Sequence, residues 1–228
     1  MKAQFHSIIG VLPLDPSNLL SVVGLEKGVM YEVIVSTRAP DGTSNAAPMG
    51  VRSFDGKGLT LRPFKSSQTY RNLLATRTAV ANIIDDAQLF FETALKEGVS
   101  SPQETFEDAK YVEAPRLAQA ESVIEFTVSN IHDEDPEIAR VDCDPIYSEV
   151  LQLRPKPYCR GRFAAIEAVV HATRVKVYLK DGRKEKADRL IQLILSYREL
   201  AKRVCPGSSY CKVIEDVVAK VDEWERGG

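Results

Sequence analysis

The hydrophobic pattern of this 228-residue chain changes period near residues 154–161, and this change constrains the fold more than any other feature. Before it, short runs alternate between apolar and polar residues, as half-buried strands do, and YEVIVST at 31–37 is an example. After it, apolar residues recur every three or four positions, as they do on amphipathic helices. The segment RPKPYCRG itself has the proline and glycine content of a linker. We therefore predict an α+β protein with a β domain at 1–153 and a helical domain at 154–228.

The β domain is predicted to be an antiparallel meander with one helix inserted after its third strand. The turns APDGTSN and DGKG separate the first three runs, and Asp-Gly is a strong hairpin signal. A second helix and a polar, proline-interrupted loop precede two further strands. The predicted strands are 31–37, 46–54, 59–64, 79–85, 122–133 and 138–151, and the predicted helices are 67–77 and 87–98.

The second domain is predicted to contain three helices, at 162–179, 184–204 and 210–226. The middle helix has an apolar stripe at spacings of three and four residues, which indicates a face packed on a core. The CPG that follows it is a stop signal. The stripe consists of Ala187, Leu190, Ile191, Ile194, Tyr197, Ala201 and Val204.

The composition excludes several classes of partner. Hydrophobic residues make up 44% and charged residues 27% of the chain, as in soluble globular proteins. Thirty basic and 32 acidic residues give a net charge of −2, which offers no electrostatic footprint for nucleic acid or for an anionic membrane surface. There is no apolar run of membrane-spanning length and no cleavable signal at the start. We expect a cytoplasmic protein.

Common catalytic and metal-binding motifs are absent from the sequence. It contains no GxxxxGK[ST], GxGxxG, GxSxG or HExxH, and its histidines, His6, His132 and His171, lack metal-site spacing. We therefore expect no dedicated metal site.

The four cysteines match neither a zinc ribbon nor a redox CxxC motif. They are Cys143, Cys159, Cys205 and Cys211. Free thiols are the favoured interpretation, and a disulfide between Cys205 and Cys211, across the turn CPGSSYC, is the alternative.

The segment FKSSQTYRNL at 64–73 concentrates hydrogen-bond donors at a predicted helix start. Backbone N–H groups at a helix N-terminus bind anions, and Ser66, Ser67 and Thr69 with Lys65 or Arg71 would assist them. The alternative is that Ser67 or Thr69 caps the helix while the two cations are solvated.

The preceding strands carry polar groups beside small residues, against which a flat ring could lie. These residues are Thr37, Asn45, Ala46, Ala47 and Gly50.

Residues 28–174 resemble the FMN-binding split-barrel proteins of the flavin-reductase-like group. In particular, they resemble a conserved family of unknown function that is common in archaea. The resemblance rests on EVIVSTRAPDGTSNAAPMGV, RPFKSSQTYRNL, AVANIIDD and RGRFAAIEAVVHATRV, and the helical tail fits the C-terminal domain of that family. It implies a six-stranded antiparallel split β-barrel at 1–153, followed by the C-terminal helical domain at 154–228. It also implies a homodimer with FMN at its interface.

The resemblance further implies where the cofactor contacts lie. The donors of FKSSQTYRNL would receive the terminal phosphate of FMN, and the isoalloxazine would rest along AAPMGV. The implied phosphate contacts are Arg62, Lys65, Ser66, Ser67 and Thr69. The implied ring contacts are Ala47, Met49, Gly50 and Val51, and further polar contacts are Thr37, Asn45 and Asn82.

Three functions remain open, because in a flavoprotein the cofactor carries the electron chemistry and no particular catalytic side chain is required. The first is an FMN-dependent oxidoreductase of the flavin-reductase type with a nicotinamide or deazaflavin donor. The second is a non-catalytic FMN-binding module. The third is an accessory protein of cofactor metabolism of the tetrahydromethanopterin type.

The first helix of the second domain carries two features that bear on the site. Glu167, His171 and Arg174 share one face, which would lie over the flavin or against a partner, or would form an ordinary surface ladder. The apolar residues of this helix are candidates for the dimer interface, and the alternative is that they close a core within one subunit. They are Phe163, Ile166, Val169 and Val170, and the stripe of the middle helix from Leu190 to Val204 is a candidate together with them.

Overall fold

Six antiparallel strands close into a barrel in the computed structural model, which describes residues 19–95, 105–133, 135–152 and 160–227. Around the barrel the strand order is β1-β2-β3-β8-β7-β4. The predicted α+β fold with a six-stranded antiparallel barrel is therefore confirmed. The barrel strands are β1 (Met30–Arg38), β2 (Ser44–Arg52), β3 (Leu59–Leu61), β4 (Thr78–Ile83), β7 (Ser122–His132) and β8 (Arg140–Val150).

The connectivity of the barrel differs from the predicted meander. The fourth strand does not pair with the third: β4 pairs with β1 and β7, and β3 pairs with β8. Helix α2 (Gln68–Thr76) makes the difference, because it inserts Tyr70 and Leu73 into the barrel core before the chain returns at β4. Because β3 has only three residues, it pairs with β2 only at Val51 and Arg52, and the rest of that edge of β2 has no ladder partner among the described residues.

Both faces of the barrel strands are buried, and successive side chains of a strand pack on opposite faces. Val33 and Val35 of β1 belong to the cluster inside the barrel, whereas Ile34 between them belongs to a second cluster outside it. The outer cluster also contains residues of the three C-terminal helices, among them Ala165 and Ile214. The helices therefore share a core with the outer wall of the barrel.

Three long helices follow the barrel: α4 (Arg160–Lys180), α5 (Lys184–Val204) and α6 (Ser209–Gly227). Helix α4 begins inside the predicted linker, of which residues 154–159 lie outside the described part, as does the predicted boundary at 153/154. Glycine at position 161 allows the start of α4 to pack against the end of α5, because a Cβ at that position would collide with the sulfur of Cys205.

The apolar stripe of α5 is buried at its centre but not at its end. Ala187, Ile194 and Ala201 are buried, and Leu190, Ile191 and Tyr197 pack partly against them. The prediction was wrong for Val204, which is 37% exposed because α5 ends there.

Several short elements were missed by the sequence prediction. They are α1 (Leu19–Val22) and a small hairpin of β5 (Phe106–Asp108) and β6 (Pro115–Leu117), which occupies the predicted loop. The second predicted helix corresponds to α3 (Ala87–Ala94); residues 96–98 of that prediction lie outside the described part.

Cys143 and Cys211 are free thiols, as the favoured interpretation expected. The thiol of Cys211 donates to the backbone carbonyl of Cys205 at 3.3 Å, so the alternative disulfide between Cys205 and Cys211 does not form. Cys159 lies outside the described residues. Among the helices that the structure describes, none combines the length and apolar character needed to cross a membrane.

Candidate functional site

A cavity of about 480 Å³ lies beside β2, between the barrel and helices α3 and α4. The middle of β2 forms one wall, and the loop from β3 into α2 forms another. Thr93 and Ala94 of α3 and Val170, Thr173 and Arg174 of α4 complete it. The cavity therefore joins the two segments in which the sequence predicted ring and phosphate contacts.

The N-terminus of α2 opens towards this cavity, and Ser67 is its cap. The Ser67 hydroxyl accepts the backbone N–H of Tyr70 at 3.1 Å, so the capping alternative is confirmed for this residue. The backbone N–H groups of Gln68 and Thr69 have no acceptor among the described residues. Unsatisfied first-turn amides of this kind attract an anion.

Thr69 is held in place by a buried polar network. The side-chain amide of Asn45 donates to the Thr69 hydroxyl oxygen at 3.1 Å and lies 3.5 Å from the Thr37 hydroxyl. Asn72 donates to the same Thr37 oxygen at 3.0 Å. Because the Thr69 oxygen already accepts a hydrogen bond and the hydroxyl lines the cavity, its proton is available to a ligand there. Thr37 and Asn45 therefore position Thr69.

The cations of the loop differ in their availability. Arg62 is exposed, lines the cavity and has no carboxylate at ion-pair distance within the described residues. Lys65 is ion-paired with Asp133, and Arg71 donates to its neighbour Gln68. Arg62 is therefore the readily available cation of the loop. Ser66 is exposed and does not line the cavity.

The predicted ring contacts divide into two groups. Ala47, Met49 and Gly50 line the cavity. The side chain of Val51 is fully buried inside the barrel. Asn82 donates to the Ile34 carbonyl at 2.9 Å and accepts the Leu117 N–H at 2.7 Å, which ties β6 to the barrel. The structure does not bring Val51 or Asn82 into the cavity.

Several cavity residues were missed by the sequence prediction, chiefly on β1 and at the end of β2. Met30, Glu32, Arg52 and Phe54 all lie within the cavity wall. Strand alternation was the available signal, since Met30 and Glu32 project on the same side of β1 and Glu32 is paired with Gly50. Glycine at position 50 leaves room for the side chains of Met30 and Glu32. A Cβ there would lie 3.4 Å from a Glu32 carboxylate oxygen and from the Met30 sulfur.

Glu32 is the acidic group of the cavity wall, and its surroundings shift its pKa. Burial raises the pKa of the Glu32 carboxyl; the nearby Arg174 opposes this effect and Glu167 adds to it. Of the three polar residues predicted to share a face of α4, only Arg174 lines the cavity. His171 packs its ring 5.8 Å from that of Tyr197, and burial lowers its pKa.

Comparison with known proteins shows the family of the chain. Residues 31–152 match the model of the N-terminal domain of DUF447, a protein of unknown function. An FMN-bound protein of that family from Methanosarcina mazei has a similar crystal structure, with a TM-score of 0.69 and 27% sequence identity. The alignment covers 89% of this chain and 99% of the other.

More distant structures are also similar. Component B of nitrilotriacetate monooxygenase from Bacillus cereus has 14% identity and a TM-score of 0.47, over 69% of this chain and 89% of the other. Flavoredoxin from Desulfovibrio vulgaris has 14% identity and a TM-score of 0.45, over 55% and 73%. Similarity at this level carries no argument about the site. No curated protein matches the chain.

Proposed function

Because this chain belongs to the DUF447 family, we propose that it is an FMN-binding flavoprotein. One observation carries the proposal: the open N-terminus of α2 and the small residues of β2 share one cavity. Its volume of about 480 Å³ lies within the usual range for cofactor sites. The FMN-bound relative from Methanosarcina mazei, which aligns along almost its whole length, supports this assignment.

The cavity residues fit the parts of FMN. We assign the terminal phosphate to Arg62, the free amides of α2 and the Thr69 hydroxyl, which together offer charge and directed donors. Ser67 contributes by capping α2. The isoalloxazine is assigned to the wall formed by Ala47, Met49 and Gly50. Contacts from Lys65 and Ser66 remain predictions of the sequence pattern.

The proposed activity is that of an oxidoreductase of the flavin-reductase type. Bound FMN would supply the electron transfer, and the chain would bind it, orient it and limit its exposure to water. A non-catalytic FMN module and an accessory role in cofactor metabolism of the tetrahydromethanopterin type remain the alternatives. Anaerobic mixing with nicotinamide and deazaflavin donors separates these: rapid bleaching of the flavin by one donor supports the enzyme, and no bleaching by any supports the module.

The proposed assembly is a homodimer with FMN at the interface. Large apolar side chains are exposed at the cavity, where Met30 is 51% and Phe54 is 61% exposed. Phe163 on α4 is also exposed, whereas Val169 is fully buried within the chain. Exposed apolar groups beside a cavity favour a covering partner, and a second copy would close the open side of the flavin site.

Identification of the bound flavin tests the proposal directly. The purified protein should be yellow and should release FMN, not FAD or riboflavin, when it is denatured and the supernatant is chromatographed. The reason is that, within the described residues, a single helix N-terminus with a neighbouring cation faces the cavity beside the ring wall, which suits one terminal phosphate. A colourless protein that takes up no added FMN would refute the proposed function.

A further inference from the structure

Three arginines line the cavity, and only Arg62 belongs to the proposed phosphate site. The other two, Arg52 and Arg174, flank Glu32. On the β1–β2 ladder Glu32 is opposite Gly50, so Arg52, two residues further along β2, is its diagonal neighbour on the same face. Arg174 approaches Glu32 from α4 closely enough to act on its charge.

Both arginines lack a carboxylate at ion-pair distance within the described residues. The Nε atom of Arg52 is buried and has no hydrogen-bond partner in the described part of the chain, and its guanidinium lies 5.6 Å from the centre of the Phe54 ring. A buried N–H donor without an acceptor costs free energy unless a ligand supplies one. The Arg52 side chain is therefore arranged to meet an acceptor that the described residues do not provide.

The local charge balance indicates what kind of acceptor this is. On the cavity wall two guanidinium groups, those of Arg52 and Arg174, accompany one carboxylate, that of Glu32; Glu167, which also acts on Glu32, does not line the cavity. The wall itself therefore has an excess of positive charge. Burial further favours the neutral form of Glu32. The neighbouring apolar groups, Met30 and Phe54, are exposed and offer surface to a flat, apolar body. An anion with an aromatic or similarly flat portion satisfies both features.

We propose that Arg52 and Arg174 form a second anion subsite, which binds the carboxylate or phosphate of a second ligand beside the flavin. This inference rests on the proposed function, because the flavin gives the second ligand its place. The ligand class is a flat organic anion, with its charged group on the two guanidiniums and its apolar part against Met30 and Phe54, on the side of the cavity that the second copy of the proposed dimer would close.

The experiment uses FMN-saturated protein, so that the site at the α2 N-terminus is filled. Benzoate, phenyl phosphate and neutral benzamide are titrated by calorimetry while the flavin absorption spectrum is recorded. The benzoate and phenyl phosphate arms separate a carboxylate ligand from a phosphate ligand. The variants are Arg52→Gln and Arg174→Gln, and Arg203→Gln, which removes an exposed arginine of α5, is the matched control.

One anionic probe should bind saturably and perturb the flavin spectrum, and benzamide should bind at least tenfold more weakly. Each subsite variant should weaken the anion about tenfold or more, as expected for a charge-assisted hydrogen bond, while Arg203→Gln leaves it unchanged. Benzamide that binds as tightly as the anionic probe would overturn the subsite. Anion binding by both variants that is as tight as binding by the wild-type protein would also overturn it. Loss of dimer stability in Arg52→Gln or Arg174→Gln without loss of anion binding would instead assign the arginines to the subunit interface.

Failure of the proposed function gives a different result. Protein that takes up no FMN refutes the flavin assignment, and the same calorimetric titrations are then made without flavin. Under those conditions anion binding that is lost in Arg52→Gln and Arg174→Gln supports the subsite. Anion binding that is unchanged in both variants overturns it.

Discussion

The side-chain amide of Asn45 donates to the hydroxyl of Thr69 at 3.1 Å, which joins the beginning of β2 to the first turn of α2. Both residues are buried, although the Thr69 side chain also forms part of the cavity wall. This bond fixes the direction in which the hydroxyl proton points. The strand that carries the proposed ring wall therefore also positions a donor of the proposed phosphate site.

Thr69→Val tests that donor, because valine keeps the shape and removes the hydroxyl. FMN affinity should fall about tenfold or more, the value of one charge-assisted hydrogen bond, while riboflavin affinity changes little. Fluorescence titration of both flavins measures this difference. An equal loss for riboflavin would show that Thr69 supports the fold of the site and does not contact the phosphate.

Ser67→Ala separates capping from direct cofactor contact. Loss of the bond to the Tyr70 amide should lower the free energy of unfolding by about 1 kcal/mol. For a chain of this length, that corresponds to a fall in Tm of about 2–4 °C. Ser66→Ala is the control for the change in Tm only, since Ser66 is exposed. Weaker FMN binding at unchanged Tm would instead make Ser67 a phosphate ligand.

Glu32→Gln should raise stability at neutral pH and leave it unchanged near pH 4. Burial raises the pKa of Glu32 in the folded state, so the protonated form carries no penalty at low pH. Wild-type stability then declines as the pH rises through this raised pKa. Urea unfolding at pH 4 and pH 7.5 measures the difference, with the exposed Glu215→Gln as control. A variant that is less stable than wild type at pH 7.5 would show that attraction to Arg174 outweighs burial.

Gly161→Ala should destabilise the contact between α4 and α5. The new methyl group meets the sulfur of Cys205, and overpacking of this kind costs about 1–3 kcal/mol. Cys205→Ala in the same background should recover part of the loss, which denaturant unfolding of the single and double variants would measure. If the double variant is no more stable than Gly161→Ala, the loss of stability arises from contact with the neighbouring Val204 or from the backbone.

Dilution of the FMN-loaded protein should release the flavin as the proposed dimer dissociates. Met30 and Phe54 would become exposed to water together with the open side of the ring. Sedimentation velocity and flavin fluorescence, followed in parallel over the same concentrations, should show coincident transitions. A monomer that retains FMN with unchanged affinity would contradict a shared site.

Strand alternation and turn signals were sufficient to locate all six barrel strands, because each has a buried face. They did not locate β5 and β6, since strands of three residues are too short to show a period. Pairing of β4 with β1 also escaped prediction, because it depends on how α2 packs in three dimensions.

Only part of the site could be predicted, because the sequence pattern shows local motifs but does not show how distant elements pack. The motif RPFKSSQTYRNL is local, and its Thr69 lies on the cavity wall; contact of Thr69 with a phosphate stays a prediction. Arg174 was singled out only as one of three residues on a helix face, since its approach to Glu32 depends on the packing of α4 beside β1. Asn82 was predicted to contact the cofactor, but its side-chain amide accepts the Leu117 N–H instead. The sequence alone does not distinguish an asparagine that ties two strands together from one that binds a ligand.

The pairing of β3 with β8 has a consequence for the order of folding. Leu59 is paired with Cys143, so the barrel closes only after the chain has been synthesised as far as β8. Contacts between residues so distant in sequence slow folding, because the entropy of closing a long loop is lost before the contact forms. Until β8 arrives, β3 and β7 each present an unpaired edge, and these edges are where a nascent or truncated chain is most exposed to aggregation.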